Sequence, residues 1–153
     1  MKKIAIGSDH RGYHLKKHII EVISGAYEIA DCGTNSTESV DYPDIATLVA
    51  KAVQSSEAWR GIIICGSGVG ASVAANKFRG IRAAVCHDTF SARQGVEDDD
   101  MNVLCMGGGI VGELLATEIV KSFLNAEFKK DVDRYVRRLE KVRKIEEGND
   151  SIR

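Results

Sequence analysis

The residues best suited to chemistry lie in ICGSGVG, Ile64–Gly70. Three glycines within five residues let backbone N–H groups turn inward with no Cβ in the way. A helix starting after them adds the positive end of its dipole, so the segment can cradle an anion. That anion is either a phosphate or an oxyanion formed during a reaction. Cys65 stands beside the cradle, where the dipole and the N–H groups favour its thiolate. Plainer readings compete: a tight structural turn, a dinucleotide loop, or a cysteine serving as a small buried apolar residue. A dinucleotide loop needs G-x-G-x-x-G, whereas Gly66, Gly68 and Gly70 give G-x-G-x-G, and Gly107–Gly109 fits no better.

Three other groups carry reactive or charged side chains. In Ser8–His10 the Asp9 carboxylate suits sugar hydroxyls or a helix cap, and His10 suits a phosphate or a solvated first turn. In DVDRYVRRLEKVRK, Arg134 and Arg138 stand one helical turn apart and share a face, with Arg137 off it. Two guanidinium forks at that spacing match a phosphate dianion. The competing reading is a solvated basic stripe paired with Asp131, Asp133 and Glu140. The acidic run Glu97–Asp100 is the fourth group. A divalent metal wants ligands converging from several elements, and one loop rarely supplies them, so no metal is expected.

These residues must be positioned by alternating strands and helices. Short apolar runs predict strands over Lys3–Gly7, Tyr27–Cys32, Gly61–Cys65, Ile81–Cys86 and Asn102–Met106. The three isoleucines before Cys65, flanked by glycines, suit a central parallel strand covered on both faces. Helical spacing appears in Leu15–Ile23, in Ile45–Ala52 with Pro43 just ahead, and from Val69 to Phe78. It recurs from Thr89 to Glu97, in Val111–Phe123 and in Val132–Val142. Strict alternation predicts an all-parallel α/β sheet with right-handed crossovers. Five strands suggest the order 2-1-3-4-5, with ligands bound beyond the carboxyl ends of strands one and three, at Gly7–His10 and Cys65–Gly70. The last helix has no strand after it and is expected to pack on a partner subunit.

The bulk numbers agree with one domain spanning 1–153. The chain is 44% apolar and 28% charged with a net charge of -1, so no global field gathers nucleic acid or anionic lipid. No segment approaches the roughly 18 apolar residues that span a bilayer, and the N-terminus lacks a signal-peptide core. The 4 cysteines contain no CxxC pair and are read as reduced thiols in the cytoplasm.

Together, IAIGSDHRG, VDYPD (Val40–Asp44), ICGSGVGASVAANK (Ile64–Lys77), GIRAAVCHD (Gly80–Asp88), Asn102–Leu104 and RYVRRLEKVRKIE resemble the ribose-5-phosphate isomerase B family, which includes the galactose-6-phosphate isomerase subunits. The resemblance runs from Lys3 to about Glu147. It implies a Rossmann-like three-layer α/β/α fold, a homodimer or homotetramer with shared active sites, a small phosphorylated sugar as substrate, and no cofactor. It further implies Cys65 as the base that moves a proton through an enediol, Ser67 as its helper, and the N–H groups of Gly66, Gly68, Val69 and Gly70 as the anion hole. Asp9 and Tyr42 would hold sugar hydroxyls. His10, Arg134 and Arg138 would hold the phosphate, the arginines reaching across a dimer. Some branches place a Glu base in the following helix; Ala71 stands there in this chain.

Four positions depart from the family's pattern. Asp98 stands where a ring-opening histidine is usual, followed by Asp99 in place of a frequent Asn. Gly109 stands where an arginine after strand five is usual, and Tyr135 where a histidine is frequent. Asp98 as a weaker acid–base group, His87 as a substitute, or a substrate needing no ring opening would each account for the first change. A tetrose 4-phosphate is such a substrate, because its closing oxygen carries the phosphate.

Overall fold

The computed structural model describes residues 1–148. Five strands alternate with helices: β1 (Lys3–Ser8), α1 (Tyr13–Ile23), β2 (Glu28–Asp31), α2 (Tyr42–Gln54), β3 (Arg60–Cys65), α3 (Val69–Ala75), β4 (Ala83–Val85), α4 (Thr89–Asp99), β5 (Val103–Gly107), α5 (Glu113–Asn125) and α6 (Asp133–Glu146). Every strand pairing is parallel. Pro43 falls inside the first turn of α2, where its missing N–H costs nothing. α3 stops at Ala75, short of Phe78. The Asn76 amide donates to the Ala83 carbonyl and accepts from the Ala83 N–H, both at 2.8 Å, which steers the chain out of the helix.

The strand order is β2-β1-β3-β5-β4, which corrects the expected 2-1-3-4-5. Val103–Gly107 is buried throughout and takes the central place beside β3, while Ala83–Val85 is three half-buried residues and serves as the edge. The reversal moves a helix between layers. Right-handed crossovers place α3 on one face as the chain steps outward, and α4 on the other as it steps back. Accordingly α3 packs with α2, and α4 packs with α5, which also meets α1. The switch between β1 and β3 survives, so the expected ligand-binding end is unchanged.

Alternation along the strands splits the core in two. Ile4, Ile6, Ile62, Ile64, Leu104 and Met106 face the α1, α4 and α5 layer. Ala5, Ile63, Cys65, Val103 and Cys105 face α2 and α3, which present mainly alanines and Val49. Small residues let α2 sit close: a Cβ added at Gly61 would come 2.6 Å from Val49. That proximity brings Tyr42, the first residue of α2, to the end of β3.

Two buried cations staple the periphery. Arg60 stacks on the Trp59 ring and donates to the carbonyls of Phe123 and Ala126, satisfying the end of α5. Lys16 is 1% exposed, and its Nζ donates to Asp31 Oδ1 at 2.6 Å and to the Thr34 carbonyl at 2.7 Å. Removing one partner of a buried pair is costlier than replacing the charge by an apolar chain of similar size. Asp31 is 42% exposed, so the cost falls at or below the low end of the roughly 3–5 kcal/mol for breaking a fully buried pair. We expect Asp31→Ala to destabilise by about 2–3 kcal/mol and Lys16→Met by only about 1 kcal/mol. Urea denaturation checks both, and the reverse ranking would contradict the assignment of Asp31 as the partner of Lys16.

Candidate active site

At the carboxyl end of β3 the chain turns through Gly66–Gly68 into α3. Gly68 caps the helix with φ +84°, a conformation that disfavours any side chain. A helix leaves its first N–H groups without internal acceptors. Here the Gly68 N–H donates to Cys65 Sγ at 3.2 Å and the Val69 N–H to Ser67 Oγ at 3.3 Å. Among the described residues the N–H groups of Gly70 and Ala71 have no such acceptor, which leaves them for an anion.

Cys65 is 4% exposed and belongs to the core between the sheet and α2/α3, with its sulfur held by the turn. An N–H donor aimed at sulfur stabilises negative charge on it. Burial acts on the other thiols. Burial pushes Cys86 up to about 11 and Cys105 higher still. Burial, then Asp31, raises Cys32, whose thiol donates to the Ala30 carbonyl. These three stay protonated at neutral pH.

Asp9, His10 and Tyr42 converge on this end. Asp9 is buried, and its Oδ1 accepts from the N–H groups of Arg11 at 2.9 Å and Gly12 at 3.3 Å. One oxygen thus fixes the turn ahead of α1, whose N-cap is Gly12, while the other accepts no hydrogen bond among the described residues. His10 Nδ1 accepts from the Val40 N–H at 3.2 Å, which places the ring proton on Nε2 and makes the outer nitrogen a donor. The Tyr42 ring covers Gly70, where a Cβ would come 2.6 Å from the ring.

The remaining expected residues lie elsewhere in the chain. α4 runs antiparallel to the strands, so Asp98 and Asp99 fall at the amino end of β5. That is about 13 Å from Gly107, the partner of Cys65, at 3.3 Å per strand residue. Asp98 accepts from Gln94 Nε2 at 2.6 Å. Burial, then Asp98, raises the Asp99 carboxyl, with Arg138 opposing. Arg134 lies over the Tyr135 ring and donates to its hydroxyl, with no acid partner among the described residues. The acidic run is dispersed: Glu97 meets Arg93 and Lys129, and Asp100 meets Arg82.

Helix α6 buries none of its residues, and Val142 and Ile145 are 51% and 69% exposed. A groove of about 740 Å³ separates α6 from the β4 edge, lined by Ala83, Asp99, Met101, Leu139 and Val142. Two more residues lie at the Cys65 end: His87, offered above as a substitute acid–base group, and Arg11, which was not anticipated. His87 Nε2 accepts from the Gly107 N–H at 2.9 Å, one strand from Cys65, leaving its proton on Nδ1. Arg11 lays its guanidinium over Gly66. Its only sequence signal was proximity to Asp9.

A thiol held by an N–H donor, open N–H groups beside it, and Asp9, His10 and Tyr42 gather at the switch of a parallel α/β sheet. Comparison with known proteins identifies the class. The pattern defining the ribose/galactose isomerase family matches residues 4–142. Ribose-5-phosphate isomerase B of Escherichia coli is 45% identical over 148 residues, covering 96% of this chain and 98% of that protein. D-erythrulose-4-phosphate isomerase of Pectobacterium atrosepticum is 38% identical over 130 residues, covering 84% and 86%. The structure of ribose-5-phosphate isomerase B from Clostridium thermocellum superposes with a TM-score of 0.92 at 49% identity, covering 96% and 99%. The chain belongs to the ribose/galactose isomerase family and is an enzyme of the aldose–ketose isomerase class.

Proposed function

We propose that this enzyme interconverts D-ribose 5-phosphate and D-ribulose 5-phosphate through a cis-enediolate, with Cys65 as the base. The observation that carries this is the Gly68 N–H on Cys65 Sγ at 3.2 Å, next to the open N–H groups of α3. Isomerisation removes a proton beside a carbonyl and develops charge on its oxygen, so it needs a base and preorganised donors in contact. Ser67 assists the proton, and within Gly66–Gly70 the open Gly70 N–H receives the oxyanion while those of Gly68 and Val69 hold Cys65 Sγ and Ser67 Oγ. Asp9 and Tyr42 hold sugar hydroxyls, and His10 donates Nε2–H to the phosphate.

Asp98, Asp99, Arg134 and Arg138 complete a site only from a second copy, since in their own chain they lie at the opposite end of the sheet. The bare face of α6 supports a homodimer or homotetramer, in which a two-fold axis brings opposite ends together. We place this single isomerase unit, residues 1–153, in the cytoplasm, where Cys65 stays reduced. Among the described residues no helix is long and apolar enough to cross a membrane.

A second reading is favoured by Asp98: a tetrose phosphate, which needs no ring opening, as substrate. A third, a sugar-phosphate-binding protein without turnover, leaves the base beside the anion hole without purpose. Tetrose, pentose and hexose phosphates assayed side by side, in deuterated solvent, decide among them. Deuterium should enter the carbon beside the carbonyl of the true substrate; binding without exchange would leave only the third reading. For ribose 5-phosphate, we expect Asp98→His to raise turnover about tenfold, a modest share of what a placed acid–base group contributes. Turnover of erythrulose 4-phosphate should not change. Equal gains on both substrates would sink the ring-opening argument.

A further inference from the structure

We infer that Arg11 is a specificity-determining residue that grips the phosphate of the substrate from within the same chain as Cys65. The inference rests on the sugar-phosphate isomerase reading and extends it. Arg11 follows β1 and is exposed, yet its side chain is set against two glycine turns. Its Nη1 lies 2.6 Å from where a Cβ on Gly66 would sit, and its Nη2 lies 3.7 Å from the same point on Gly109. A side chain at 66 would collide with the fork, so glycine there does more than bend the turn. The Arg11 carbonyl abuts Gly108, 2.6 Å from a Cβ placed there, and the Arg11 N–H is fixed by Asp9 Oδ1 at 2.9 Å.

Charge leaves the fork available. Asp9 is the nearest acid in sequence, and its Oδ1 faces the backbone N–H groups of Arg11 and Gly12. Among the described residues the Arg11 guanidinium forms no ion pair and no hydrogen bond. A planar cation held next to Cys65 and Ser67, with all its donors open, matches a phosphate monoester better than a neutral hydroxyl. α6 runs past Glu97, Asp99 and Gly80 toward the other end of the sheet, so among the described residues Arg11 is the guanidinium set beside the Cys65 turn.

The test compares wild type, Arg11→Met and Arg11→Lys. Inorganic phosphate binding is followed by phosphorus NMR, which needs no turnover, and KM and kcat are measured on the sugar phosphate that the wild type converts. We expect Arg11→Met to weaken phosphate binding and raise KM together, each about tenfold or more, with kcat within about threefold. Arg11→Lys should fall between, since it keeps the charge and loses the fork. Melting temperatures should match, because the side chain is exposed. Unchanged phosphate binding, or a fall in kcat with KM unmoved, would overturn the proposal, as would a wild type that binds no phosphate. If the wild type converts no sugar phosphate, the isomerase reading fails, and the NMR comparison still decides the role of Arg11.

Discussion

Cys65→Ala is expected to lower kcat by about a thousandfold and to end solvent deuterium incorporation, because it removes the group proposed to take the proton. Asp9 has one carboxylate oxygen on backbone N–H groups, and the His10 ring presents its protonated nitrogen outward. The other thiols stay protonated, with Cys86 pushed up to about 11. Cys65→Ser should be nearly as inactive, since a hydroxyl in that place keeps its proton. Both variants should bind substrate close to normally. Exchange surviving in Cys65→Ala would remove Cys65 as the base. The same variant tests the shared site. Neither Cys65→Ala nor Arg138→Ala retains both halves, but their mixed dimer has one intact site, so co-refolding should recover about a quarter of full activity. No recovery on mixing would argue that each site is built from one chain.

Gly68→Ala is expected to damage stability and activity together, where Gly80→Ala spares activity. Gly68 and Gly80 have nearly equal φ values, +84° and +81°, so the conformational cost of alanine is shared, about 1–2 kcal/mol. Their surroundings differ. A Cβ at Gly80 meets nothing within 4 Å, whereas at Gly68 it meets the Met106 backbone carbon at 2.9 Å. Backbone in a central strand cannot step aside, so the turn must move and carry the N–H off the Cys65 sulfur. We expect Gly80→Ala to lose about 1 kcal/mol with activity intact. Gly68→Ala should lose at least twice that stability and about a hundredfold in kcat/KM, the scale of one misdirected oxyanion donor. Thermal melts with kinetics check the pair. Similar behaviour of the two variants would mean that φ alone, and not the contact with β5, sets the cost.

The elements themselves were legible because their signals are local. Apolar runs ending in glycine mark β1 and β3, and helical spacing marks α1, α2 and α5. The edge of the prediction was β4, where Ile81–Cys86 reads as six strand residues and only Ala83–Val85 pair. Strand order was misread because it depends on which strand is apolar enough for the middle of the sheet. That is a comparison between β4 and β5, visible in neither segment alone. The Cys65–Gly70 and Asp9–His10 groups fall together as the switch-point rule requires. By contrast, Asp98 and Arg138 look like parts of one site in a linear reading, yet an antiparallel return through α4 sets them at the far end.

What the sequence determined by itself is the chemistry on offer: a cysteine at a strand end, glycines that free N–H groups, and a family pattern running through nearly the whole chain. Residue type and short spacing suffice for these, because the backbone rules involved act over a few residues. What only the tertiary structure decided is which groups meet. The tautomer of His10 is set by Val40, the Tyr42 ring by close packing of α2 on Gly61, and the Arg11 fork by the room that Gly66 leaves. Each depends on contacts between segments distant in the chain, whose relative placement follows from burying both faces of one sheet.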